Sequence, residues 1–106
     1  MSVIGAFTPS RDGGWTGSIR TLTIDAKVRL VPNDNRDRDN APAFRVLVGN
    51  SRIGDAWEAR TTGDKSRDYV RVRLDDPSLP EPITAALFPS AEGNTAQLVW
   101  NRKWGE

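Results

Sequence analysis

Tyr69-Val70-Arg71-Val72-Arg73-Leu74 alternates polar and apolar residues over its whole length. Successive side chains of a β-strand point to opposite faces of a sheet, so Val70, Val72 and Leu74 are predicted to face a core while the residues between them face solvent. A helix would instead place apolar residues three and four positions apart. The segment therefore predicts a half-buried strand.

The same period of two recurs on both sides of this segment, between clusters of Gly, Pro, Asn and Asp that are typical of turns. The other inward-facing sets predicted in this way are Val28 and Leu30; Phe44, Val46 and Val48; Ile83, Ala85 and Leu87; and Ala96, Leu98 and Trp100. Segments 55–60 and 80–86 could each form a short helix, but neither is long enough to be stable alone, and both are predicted to be strands.

The N-terminal region is predicted to form a hairpin, because Asp12-Gly13-Gly14 is a turn signal between two apolar segments. The following segment, 15–24, starts with its apolar residues in one phase and ends with Leu22 and Ile24 in the opposite phase. We predict one strand with a bulge or bend near Arg20-Thr21. The fold class expected from all these elements is all-β, an antiparallel sandwich or small barrel of about seven or eight strands.

Length and composition indicate the kind of protein. The 106 residues suffice for one modest core, so a single domain over 1–106 is predicted, with a polar loop at 33–42 and a polar tail at 101–106. The chain has no Cys, and neither an N-terminal signal nor a long apolar run, so we expect a cytoplasmic protein that does not enter a membrane. The net charge of +1 excludes both a polycation and a polyanionic DNA mimic.

Catalysis is not expected, since a chain without His and Cys lacks the usual general base and two common nucleophile designs. The carboxylate pair Asp75-Asp76 precedes Pro77, which predicts a structural turn. Segment 35–40 resembles the start of a twelve-residue calcium loop, but the sixth position of that loop is Asn40 instead of Gly and the twelfth is Val46 instead of Glu. We expect no enzyme activity, no cofactor and no metal.

One set of outward-facing residues indicates a binding function. If their strands are neighbours, they form a basic sheet face with an aromatic platform, as single-stranded nucleic-acid sites do. The hypothetical nucleic-acid site consists of Lys27, Arg29, Arg45, Tyr69, Arg71 and Arg73. The same pattern also fits an ordinary solvated face on which Arg stems cover apolar surface and pair with loop acids.

The four Trp residues suggest a second hypothesis. Trp15 and Trp100 have inward phases and are predicted to belong to the core. Trp57 is compatible with the core or with a partly exposed anchor. Trp104, in the polar tail, could anchor a partner or fold back over the core edge. Trp57 and Trp104 are therefore the hypothetical protein-interaction residues.

Seven motifs span nearly the whole chain: Ile4-Gly5-Ala6-Phe7-Thr8, Gly17-x-Ile19-x-Thr21-Leu22, Asn40-Ala41-Pro42, Ile53-Gly54-x-Ala56-Trp57, Asp68-Tyr69-Val70 through Leu74-Asp75-Asp76-Pro77, Pro82-Ile83-x-Ala85-x-Leu87-Phe88 and Leu98-x-Trp100-Asn101-Arg102. With these motifs the chain resembles the bacterial family called domain of unknown function 736. Ala6 and Leu79 depart from the residues more usual there. The resemblance implies a protein typical of alphaproteobacterial plasmids and integrative elements, with no agreed activity and no catalytic residue to carry over.

Together these observations predict a non-catalytic binding module, accessory to a mobile genetic element, that contacts nucleic acid through the basic face. The alternative is a protein-interaction module or inhibitor that acts on a host or element protein through exposed Trp and Arg residues. The oligomeric state does not follow from the sequence.

Overall fold

A computed structural model describes residues 2–33, 41–61, 63 and 67–101. These contain eight strands: β1 (Ser2–Pro9), β2 (Trp15–Arg20), β3 (Asp25–Pro32), β4 (Phe44–Val48), β5 (Ser51–Arg60), β6 (Asp68–Leu74), β7 (Ile83–Pro89) and β8 (Ala96–Trp100). Each strand pairs antiparallel with the next along the chain, and β1 pairs with β8, which closes a barrel. The all-β prediction is confirmed, and the barrel is the architecture present. No helix of the described chain has the length and apolar character to cross a membrane.

The barrel interior is filled by the inward-facing residues of all eight strands. On β6, Val70, Val72 and Leu74 are 6%, 1% and 3% exposed, which confirms the predicted phase of that strand. The other inward sets named from the sequence belong to the same core or pack against it, including Trp15 and Trp100. The core therefore fixes which residues of each strand face outward.

The predicted N-terminal hairpin is present, and its turn is held by side chain and backbone together. The backbone N–H of Ser10 donates to the Gly14 carbonyl (3.0 Å), and the Gly14 N–H donates to Asp12 Oδ1 (3.1 Å). Gly13 has a φ of +92°, a conformation that favours glycine. The Ser10 hydroxyl and the Gly14 N–H, both donating to the carboxylate, lower the pKa of Asp12 below 3.8.

The prediction of one bulged strand over 15–24 is wrong. β2 ends at Arg20 and β3 begins at Asp25, so the change of apolar phase marks a turn between two strands. Thr21 closes this turn: its N–H donates to the Ile24 carbonyl (2.8 Å) and its hydroxyl oxygen accepts from the Ile24 N–H (3.1 Å). Leu22, which would face inward on a single bulged strand, is fully exposed at the turn. The turn lacks Gly, Asn and Pro, which is why composition did not reveal it.

The two segments that could have been short helices are extended. Residues 55–60 belong to β5, and 83–86 belong to β7, whereas 80–82 precede that strand. Of the predicted loop 33–42, only residues 33, 41 and 42 are described; of the tail 101–106, only Asn101 is. The segment compared with a calcium loop lies outside the described residues.

Candidate functional site

The six residues of the hypothetical nucleic-acid site occupy two separate parts of the barrel. Lys27 and Arg29 are on β3 and Arg45 is on β4, whereas Tyr69, Arg71 and Arg73 are on β6. Strand β5 lies between β4 and β6. The outward phase predicted for all six is consistent with their partial or full exposure. The structure nevertheless brings them together as two groups of three rather than as one face.

In the group on β3 and β4, both Arg side chains have polar partners within the fold. Arg29 Nη2 donates to the Gly49 carbonyl (3.0 Å), which joins β3 to the β4–β5 turn. Arg45 Nη2 donates to Asn33 Oδ1 (3.1 Å), and Asn33 Nδ2 donates to the Pro42 carbonyl (2.9 Å). These two Arg residues therefore brace connections between strands.

The group on β6 lies in a groove on the outer surface of the barrel. The groove has a volume of about 870 Å³. We call it the aromatic groove; it is lined by Trp57 and Thr61 from the β5 side, Tyr69, Arg71 and Arg73 from β6, and Glu81, Pro82, Thr84, Ala85, Ala86 and Phe88 from the β7 side.

Strand register explains why these side chains meet. Trp57 pairs with Arg71, and Arg71 pairs with Ala86, so these three form one row across β5, β6 and β7. The small Ala86 leaves space between larger neighbours and forms part of the groove lining. Outward residues on one strand recur about every 6.8 Å, so Tyr69, Arg71 and Arg73 line the groove at regular intervals.

Aromatic rings in the groove are held by contacts with each other and with Arg. The Tyr69 and Phe88 rings are stacked, with centroids 5.3 Å apart and planes at 28°. The guanidinium carbon of Arg67 is 5.1 Å from the Phe88 centroid, and that of Arg71 is 5.4 Å from the Trp57 centroid. Such contacts fix an Arg plane against a ring while its N–H donors lie at the edge of that plane.

Phe88 and Arg67 were missed by the sequence analysis. Phe88 follows the inward-facing Leu87, so its phase already made it an outward aromatic residue, a signal that was available. Arg67 precedes β6 and belongs to no alternating pattern. Its position over Phe88 depends on how the β5–β6 connection folds, and no sequence signal indicates it.

The positive charge of the aromatic groove is only partly neutralised. Among the residues that the structure describes, the side chains of Arg71 and Arg73 have no hydrogen-bond or ion-pair partner, whereas the side chains of Asp55 and Asp68 are paired with Arg52 and Arg60. The described lining contains two cations, Arg71 and Arg73, against the single acid Glu81. The groove therefore presents excess positive charge beside aromatic rings.

The structure describes only one of the two residues predicted to contact a protein partner. Trp57 is half-buried on the outer surface, in the groove and against Arg71, rather than in the core. The structure thus joins it to residues of the hypothetical nucleic-acid site. Trp104 lies outside the described residues.

The pair Asp75-Asp76 forms the predicted turn. The Asp75 N–H donates to the Ile53 carbonyl (2.7 Å), and Asp76 Oδ2 accepts from both the hydroxyl (2.5 Å) and the N–H (3.0 Å) of Ser78. These bonds, the hydroxyl bond foremost, lower the pKa of Asp76 below 3.8. Within the described part of the chain, no group of three potential metal ligands occurs.

Comparison with known proteins places the chain in a family. A family model described as "Protein of unknown function (DUF736)" matches residues 3–103. The chain belongs to this family. The resemblance noted from the sequence motifs is thereby confirmed. Neither a curated protein nor a solved structure matches the chain.

Membership of DUF736 brings no residue roles, because the description of the family names no function. The surface chemistry of this DUF736 member must therefore indicate what it binds. The aromatic groove combines volume, aromatic rings and two Arg side chains that have no polar partner among the described residues, and it is the candidate site.

Proposed function

We propose that this DUF736 protein is a non-catalytic module that binds single-stranded nucleic acid in the aromatic groove. The observation that carries the proposal is the presence of Arg71 and Arg73, without a polar partner among the described residues, in one groove with Trp57, Tyr69 and Phe88. Single-strand sites combine cations that contact phosphates with flat rings that stack on bases.

The groove chemistry favours a single strand over a duplex. Bases of a duplex are stacked on each other, so their faces are not available to Trp57 or to the Tyr69–Phe88 pair, whereas an unpaired strand can present them. The guanidinium groups of Arg71 and Arg73 can each donate two parallel hydrogen bonds to a phosphate. The outward residues of β6 are regularly spaced, which suits a single strand of nucleic acid that runs along β6.

The setting that we propose is the cytoplasm of an alphaproteobacterium, where the module would serve the maintenance or transfer of a plasmid or integrative element. This part of the proposal is supported by the resemblance described from the sequence.

The decisive test compares two double variants that remove equal charge from different faces. Arg71→Ala/Arg73→Ala alters the aromatic groove, and Lys27→Ala/Arg29→Ala alters β3. Binding of a labelled single-stranded oligonucleotide should weaken with salt, with a slope of about 0.7 in log affinity per phosphate contact. We expect the β6 variant to flatten the slope by about 1.4 and the β3 variant to leave it unchanged.

Stacking can be separated from charge at Tyr69. Tyr69→Ala should weaken binding by about 1–3 kcal/mol with the salt slope unchanged, since stacking is not a charge effect. Tyr69→Phe keeps a ring that can stack on Phe88 and on a base, so it is the matched control and should bind nearly as the wild type does.

Absence of oligonucleotide binding at low salt, where the electrostatic attraction is strongest, would overturn the proposal. Equal losses of affinity in the two double variants would contradict the assignment to the aromatic groove. In the first case the groove would be reassigned to a protein partner, the alternative function, with Trp57 as its aromatic anchor.

A further inference from the structure

A second groove adjoins the aromatic groove on the outer surface of β7 and β8. It has a volume of about 400 Å³, and the two grooves share Phe88. We call it the Gln97 groove; its lining includes Arg67, Phe88, Ser90, Thr95, Gln97 and Val99.

Strand register places the two grooves side by side. Gln97 pairs directly with Phe88 across β7 and β8. In the neighbouring row, Arg71 pairs with Ala86 and Ala86 pairs with Val99, so an aromatic-groove residue and a Gln97-groove residue lie in line. Val99 is outside the core cluster yet only 5% exposed, and it gives the second groove an apolar wall.

Arg67 is fixed at the boundary between the grooves. The backbone N–H of Arg67 donates to Thr61 Oγ1 (2.8 Å). Its side-chain Nη2 donates to the Pro89 carbonyl (2.7 Å), and its guanidinium lies over the Phe88 ring. A guanidinium has five N–H donors, so this Arg can hold the Pro89 carbonyl and still contact a phosphate that passes Phe88.

The Gln97 groove differs chemically from its neighbour. Apart from Arg67 its described polar lining is neutral, with hydroxyl groups from Ser90 and Thr95 and an exposed amide from Gln97. A Gln amide offers a donor and an acceptor side by side, the pattern that matches the N6 and N7 atoms of adenine. Such a lining suits a base edge better than a phosphate.

We infer that the bound strand continues past Phe88 into the Gln97 groove, where Gln97 recognises an adenine edge and Arg67 contacts the phosphate at the crossing. This inference rests on the proposed function, because it needs a strand in the aromatic groove. It adds a second subsite and a base preference to a site that would otherwise bind by charge and stacking alone.

The test uses a length series of oligothymidines from about 2 to about 16 nucleotides, a span that covers the usual site sizes of small single-strand-binding domains. Each length is also made with one adenine at either end. For the wild type, affinity should rise with length in two stages, and adenine at one end should strengthen binding by about fivefold only in strands long enough to reach the second groove.

Gln97→Ala should abolish the adenine preference and leave the binding of the shortest strands unchanged. Thr23→Ala, at an exposed position in the β2–β3 turn, is the control and should behave as the wild type. Thermal melting of both variants verifies the fold independently of binding.

The experiment distinguishes failure of the second subsite from failure of the proposed function. If short strands bind in a manner that depends on Arg71 and Arg73, but Gln97→Ala keeps the adenine preference or no preference exists, the second subsite is refuted and the proposed function stands. If no strand of any length binds, both are refuted.

Discussion

On β6, each residue from Tyr69 to Leu74 contributes to either the core or the aromatic groove, and its position in the alternation decides which. Val72 is 1% exposed in the core, while its neighbours Arg71 and Arg73 line the aromatic groove. A slip of one residue in register would exchange the two sets. The buried Val and Leu side chains therefore do more than stabilise the barrel, because they also hold the Arg side chains outward.

The first prediction concerns this core position. Val72→Ala should lower the free energy of unfolding by about 1–3 kcal/mol, through lost burial of methyl groups and the cavity that remains. Urea denaturation monitored by Trp fluorescence measures it. Arg73→Ala, on the same strand but exposed and without a described polar partner, is the control and should change stability by less than about 0.5 kcal/mol. Equal stability of Val72→Ala and wild type would mean that the position is not a core contact.

The adjacent carboxylates Asp75 and Asp76, the obvious candidates for a catalytic pair in the sequence, lie in a turn between strands. Asp76 shows the alternative use of such a group: it accepts two hydrogen bonds from Ser78 and so fixes the connection between β6 and β7. The Leu79 N–H also donates to the Asp76 carbonyl (2.9 Å). The connection between β6 and β7, which leads to Glu81 at the edge of the aromatic groove, is thus ordered by hydrogen bonds among its own residues.

The second prediction concerns the pH dependence of this turn. Because the pKa of Asp76 is lowered below 3.8 in the folded state, its ionised form contributes stability that is present above 3.8 and lost as the pH falls through the lowered value. Asp76→Ala should therefore be less stable than the wild type at neutral pH, and the difference should narrow in acid. Denaturation at several pH values measures it.

Ser78→Ala provides the matched control for that experiment. It removes the hydroxyl donor, the largest cause of the shift, so the pKa of the Asp76 carboxyl should move up towards 3.8 in an NMR titration. A stability difference between Asp76→Ala and wild type that is constant with pH would contradict this account of the turn.

At the scale of the whole molecule, the filled interior directs ligand binding to the outside. Phe7, Leu30, Leu87 and Leu98 are each at most 2% exposed inside the barrel. Small closed barrels whose interiors are packed with side chains leave their outer faces as the surfaces on which partners can bind. Both grooves that carry our proposals lie on adjoining outer faces, across β5 to β8.

Local alternation was enough to predict most strands, because each inward set is a property of its own segment. The closure of β1 on β8, with Ser2 opposite Trp100, joins segments from opposite ends of the chain, and no local pattern encodes it. For the same reason the sequence could not place β5 between the cations of β4 and β6. The alternation of β6 was enough to predict that Tyr69, Arg71 and Arg73 face outward. That Trp57 lies beside them depends on the register between β5 and β6.

The last prediction uses the whole barrel as a reporter of binding, since a ligand that binds only the folded state stabilises it. An oligonucleotide at about 100 times its dissociation constant should raise the free energy of unfolding by about 2.7 kcal/mol and raise the melting temperature accordingly. Added salt should reduce this stabilisation, because it weakens the phosphate contacts. Without ligand, Arg71→Ala/Arg73→Ala should be at most about 1 kcal/mol less stable than the wild type, the size of the exposed cation–π contact it loses, and with ligand it should gain much less stability. Lys27→Ala/Arg29→Ala should keep the full gain, and loss of the gain in this variant instead would move the binding surface to β3 and β4.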